Sequence, residues 1–111
     1  MQDLFFKKTS SNPRIYVYSD ITYPDWLKIG YTTRSVQDRV KEQYPTKRPG
    51  KNPWKIELDV SALRNDSTTF LDKHVLRLLE KNGFQRKDEW VKCKLKNIEA
   101  ALHSIKENKL F

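Results

Sequence analysis

The side chains best suited to chemistry lie together in Arg14–Arg39, which reads RIYVYSDITYPDWLKIGYTTRSVQDR. Tyr16, Tyr18 and Tyr31 carry phenolic hydroxyls, Gly30 admits close approach of backbone to a ligand, and Arg39 offers a planar guanidinium. That set suits the handling of a phosphate diester. A tyrosine acts in catalysis only where its hydroxyl lies on a polar face beside a proton acceptor. Taken singly, each tyrosine is equally an amphipathic sheet residue, and Arg39 equally a solvated helix cation.

The elements that must position these groups are legible from periodicity. Ile15 and Val17 alternate with Tyr16 and Tyr18, which predicts a strand with one pair facing the core and the other a site or solvent. Leu27–Tyr31 predicts a second strand, with Leu27 and Ile29 on one face and Lys28 and Gly30 on the other. The connector, with Asp20, Tyr23, Pro24 and Asp25, makes the pair antiparallel. Thr33 or Ser35 then caps a helix over about Val36–Gln43 that carries Arg39.

Beyond it, Tyr44–Trp54 reads YPTKRPGKNPW. Its prolines and glycine forbid regular structure, while Lys47, Arg48 and Lys51 concentrate positive charge. Flanked by Tyr44 and Trp54, such a loop suits contact with a nucleic-acid backbone combined with base stacking, or is an ordinary surface loop. Lys28 and Arg34 are further cations available to nucleic acid. Ile56, Leu58 and Val60 predict a third strand, and Asp66-Ser67 precedes a helix of about Thr68–Asn82 closed by Gly83. Asp88–Cys93 is a short strand-like run with Trp90 buried. Ile98, Ala101, Leu102 and Ile105 define a last helix from about Lys96 to Asn108. Met1–Pro13 is a short arm, docked by Phe5 and Phe6 or disordered.

With 111 residues the chain has room for one core, and no apolar run approaches the roughly 18 residues of a membrane span. Met1–Lys8 lacks the apolar core of a secretory signal. One cysteine, Cys93, excludes an intrachain disulfide and reads as a small buried hydrophobe. The expected compartment is a reducing cytoplasm, with no membrane association. A net charge of +8, from 22 Lys and Arg against 14 Asp and Glu, favours polyanionic partners through phosphate contacts.

The stretch also resembles the start of a GIY-YIG nuclease domain. Arg14-Ile15-Tyr16 stands where that family has Gly-Ile-Tyr, Lys28-Ile29-Gly30 where it has Tyr-Ile-Gly, and Arg39 where it places its catalytic arginine. Gln43–Gly50, Arg64-Asn65-Asp66, Phe70-Leu71-Asp72, Gly83-Phe84 and Glu89–Cys93 extend the likeness over about Arg14–Asn108. They resemble the T5 orf172-like branch, found at the N-terminus of helicase-like and restriction-associated bacterial proteins. The resemblance implies an α+β fold with a three-stranded antiparallel sheet flanked by helices, spanning 14–108 after an arm of 1–13. It implies cleavage of DNA with one Mg²⁺ or Mn²⁺ ion, and a helicase-like or restriction-system partner. By family position Asp72 is the metal ligand, with Glu89 as alternate. Arg39 contacts phosphate, and Tyr16 with Tyr31 lies at the water. Asp72 stands where the branch has an acid four residues before a histidine, and that histidine position is Leu76.

Two other readings stay open. One is a DNA-binding module that keeps the fold without cleavage and uses Arg39, Lys47, Arg48 and Lys51 on the backbone. The other is a protein-interaction domain. A serine or cysteine hydrolase is disfavoured, since neither His74 nor His103 has a nucleophile setting around it.

Overall fold

The computed structural model describes residues 12–46 and 49–107. Among them the chain forms an α+β fold in the order β1 (Arg14–Asp20), β2 (Trp26–Thr32), α1 (Val36–Lys41), β3 (Trp54–Ser61), α2 (Asp72–Lys81), β4 (Gln85–Lys87), β5 (Trp90–Lys92) and α3 (Leu95–Glu107). The strands make one antiparallel sheet ordered β3-β1-β2-β5-β4. The sheet is thus larger than the three strands expected. Trp90–Lys92 pairs with β2 at its Trp26–Lys28 end, and β4 adds itself to β5. Gln85-Arg86-Lys87 has no apolar residue, so periodicity gave no sign of it; pairing supplies its backbone hydrogen bonds instead.

Both faces of β1 are covered. Ile15 and Val17, with Leu27 and Ile29 of β2, pack against α2 and α3 in the larger core, joined by Phe70 and Val91. Tyr16 and Tyr18 point to the other face, where Val36 and Val40 of α1 and the rings of Tyr44, Trp54 and Trp90 close over them. The tyrosine pair is therefore a second, aromatic core. Tyr31 packs against the helix-side core, on the face opposite Tyr16.

Local chemistry fixes the element ends. The Asp20 carboxylate accepts the Thr22 N–H at 2.7 Å, opening the turn from β1 to β2. Ser35 caps α1 by accepting the Asp38 N–H at 3.3 Å. That helix stops at Lys41, two residues before the expected end. The third helix runs Leu95–Glu107, and the expected end at Asn108 lies outside the described residues, as do the arm up to Ser11 and Lys47 and Arg48. Thr68–Leu71, expected as the first turn of the second helix, is instead a return strand-like segment. Asp66 accepts from both Thr68 N–H and Oγ1–H, and Phe70 N–H bonds the Ala62 carbonyl, so the helix begins at Asp72.

Candidate functional site

Tyr16 sits directly across from Gly30 in the β1–β2 register. A Cβ at Gly30 would fall within the Tyr16 ring. The glycine therefore admits a side chain of the protein itself, which lies flat over β2. Tyr16 and Tyr18 stack at 6.3 Å between centroids, and Tyr18 meets Tyr44 and Trp90 edge-on at 5.9 and 5.7 Å.

Gln43 organises the hydroxyls. Its side-chain N–H donates to Tyr16 Oη at 3.0 Å and its Oε1 accepts from the Tyr18 hydroxyl at 2.8 Å. The same amide reaches the Arg39 carbonyl at 3.4 Å. The Tyr44 hydroxyl donates to buried Asp20 at 2.7 Å. Burial pushes the Tyr18 phenol up to about 12, and burial followed by the bond to Asp20 raises that of Tyr44. Tyr16 is 1% exposed. The hydroxyls of Tyr16 and Tyr31 do not share a site.

Lys28 lies on this face. It is 7% exposed, with Nζ 5.7 Å from the centroids of both Tyr16 and Tyr18. Its ammonium pairs with Glu89 at 2.7 Å. The β4–β5 turn carries Glu89, and the start of α2 brings Asp72 into the same electrostatic neighbourhood. Burial first, and then the charge of Glu89, raise the Asp72 carboxyl, while Lys28 acts in the opposite direction. The two carboxylates considered as metal ligands thus feel each other's charge, and only Glu89 is paired with Lys28.

Two of these side chains carry the oxygen donors that a hard divalent ion takes, and one of them, Glu89, is already paired with Lys28. Asp72 and Glu89 are oxygen donors, and a half-buried carboxylate whose charge is penalised gains from a cation. Among the described residues no three His, Cys, Asp or Glu side chains form a metal-holding group. Water and substrate oxygens would complete the shell. Leu76 is 1% exposed in the helix-side core. His74 is used as a helix cap: its Nδ1 accepts the Leu71 N–H at 2.9 Å.

Arg34 and Arg39 converge on Glu42. Arg34 grips its carboxylate with two bonds of 2.7 and 2.8 Å, holding Glu42 below the usual carboxylate range, while Arg39 stands off at 3.6 Å. The Arg39 guanidinium is the less committed of the two. Lys51 is exposed. Arg14 is pinned across the sheet to Asp59 at 2.8 Å.

Sequence reasoning missed Gln43 as the hub. Its four-residue spacing from Arg39 was the one signal available, but spacing could not reveal two tyrosines waiting across a sheet. It also missed a groove of about 600 Å³ beside the site, lined by Tyr18, Tyr23, Trp26, Lys28, Tyr44 and Trp90 among others. No helix among the described residues is long and apolar enough to cross a membrane.

A family model described as the T5orf172 domain matches residues 14–106, nearly all of the chain. No curated protein matches, and no solved structure does.

Proposed function

The chain belongs to the T5orf172 domain family, and from that premise we propose that it is a GIY-YIG-type endonuclease domain that cleaves DNA phosphodiesters with one Mg²⁺ or Mn²⁺ ion. The observation that supports this reading is that Lys28, buried on the tyrosine face, pairs with Glu89, while Asp72 feels the charges of both. These residues come from three elements far apart in sequence. Oxygen donors beside a nearly buried cation are what a phosphate being cut requires.

In this reading Asp72 holds the ion, with Glu89 as second donor. When bound, the ion stabilises negative charge that develops on the phosphate. Lys28, fixed by two aromatic rings and Glu89, contacts a phosphate oxygen without needing to be ordered first. Arg39, loosely tied to Glu42, swings to a second oxygen. Tyr16 serves as a positioning residue: its ring seats Lys28 and its hydroxyl holds Gln43, which in turn tethers the Arg39 backbone.

A second reading, a DNA-binding module without cleavage, is favoured by two observations. Leu76 offers the site no proton carrier, and Lys28 already neutralises Glu89. Nicking of supercoiled plasmid with Mg²⁺ or Mn²⁺ decides between them. Cleavage by the wild type that is lost in Asp72→Ala and Arg39→Ala supports the endonuclease. Cleavage that survives Asp72→Ala removes Asp72 as the metal ligand and points to Glu89. Salt-sensitive DNA binding with no cleavage establishes the second reading for the substrates tried.

A further inference from the structure

The groove beside the candidate site has no role in the reading above, and its chemistry is specific. Its wall is aromatic. The Tyr23 ring is 51% exposed and meets Trp90 edge-on at 5.3 Å, and Trp26 and Tyr44 are half-buried nearby. Its polar floor is already engaged. Gln43 bonds Tyr16 and Tyr18, and Asp20 accepts from Thr22 N–H and the Tyr44 hydroxyl. Its cations are Lys28 and Lys87, and its remaining acid is Asp88, whose carbonyl holds Arg86 at 2.7 Å. Lys28 lies both in the groove and at the Asp72–Glu89 site, so whatever fills one adjoins the other.

We propose that this groove receives one unpaired nucleobase of a DNA strand, stacked on the Tyr23 ring with Trp90 bracing that ring edge-on, while its phosphate lies at Lys28. The inference rests on the DNA-acting function proposed above and adds the substrate class: single-stranded or locally unpaired DNA. The exposed Tyr23 ring matches the π-face that all bases share. The volume of about 600 Å³ suits a base-sized occupant in an open groove. Gln43 and Asp20 are engaged from within, and stacking on a ring is indifferent to base identity, so the groove accepts bases without regard to sequence. Placing one base there fixes the strand against the site, and fully paired DNA must first release that base.

The test compares three labelled probes at one low salt concentration: a short oligothymidylate, the same strand with abasic residues replacing its central nucleotides, and a blunt duplex. Charge is equal in the first two. The wild type should bind oligothymidylate about tenfold more tightly than the abasic strand, the effect of one base–aromatic stack. Tyr23→Ala should erase that difference and leave duplex binding unchanged, whereas Tyr23→Phe should preserve it. Oligocytidylate should bind like oligothymidylate. Equal binding of base-bearing and abasic strands, or a preference that survives Tyr23→Ala, overturns the inference. Duplex binding without any preference for bases overturns the groove alone and leaves the proposed function standing. A clear preference for bases without plasmid nicking removes the endonuclease and keeps the groove. Failure to bind any of the three removes both.

Discussion

Gly30 shows how one missing atom organises this protein. The Tyr16 ring occupies the space a Cβ would need, and Lys28 rests above that ring. Gly30→Ala is expected to destabilise the fold by about 2 kcal/mol, as overpacking does, and to weaken Lys28-dependent DNA binding; chemical denaturation and titration with DNA check both. At Asp72 the sign of the pH dependence is opposite to that of an ordinary paired carboxylate. Its folded pKa is raised by burial and by Glu89, so the unfolded chain ionises first as pH climbs past the ordinary 3.8. Stability therefore falls through the interval between 3.8 and the raised value and stays lowered above it. Asp72→Asn should melt at a higher temperature than the wild type at neutral pH and lose that advantage below the ordinary 3.8. The phenols follow the same logic at the alkaline end. Tyr18 at about 12, with Tyr44 raised as well, should keep their protons when the unfolded chain titrates near 10. Stability should then decline above pH 10, and ultraviolet titration should find the Tyr18 and Tyr44 phenols ionising later in the folded protein than in the unfolded chain.

At the scale of the element, α2 carries the most information, because its two ends are built from unusual residues. No side chain of Leu71 caps it. The imidazole of His74 accepts the Leu71 N–H, which requires Nδ1 to be unprotonated. Burial, Arg64 and Arg77 lower the His74 pKa, so the unfolded chain takes up a proton first as pH falls below the ordinary 6.5. Stability contributed by this cap is complete above 6.5 and is lost through the folded pKa. His74→Ala should cost on the order of 1 kcal/mol at pH 8 and flatten the stability profile between neutral and mildly acid pH. At the other end Gly83, at φ +96°, lets its own N–H reach the Glu80 carbonyl and the Phe84 N–H reach that of Leu79. These caps fix where Asp72 points. A helix starting at Thr68, as sequence suggests, would have carried Asp72 in its second turn instead of at its first residue.

At the scale of the whole molecule, the charge of +8 predicts DNA binding whose affinity falls steeply with salt. Removing one phosphate contact in Arg39→Ala should lessen the slope of log affinity against log salt by about 0.9. A slope unchanged in that variant would take Arg39 off the DNA.

Local sequence determined the α+β class, the paired strands at Ile15–Tyr18 and Leu27–Tyr31, and the buried stripe of α3. Each rests on a short-range period or a turn residue that acts within a few positions. Tertiary structure alone decided the rest. It added β4, whose polar residues pair only because β5 is beside them, and it turned the tyrosine face into a second core. Gln43 acquired Tyr16 and Tyr18, and Glu89 acquired Lys28, from strands distant in the chain, where no sequence period reaches. Pairing and burial are long-range events, and the groove beside Lys28 exists only where strands distant in the chain close side by side.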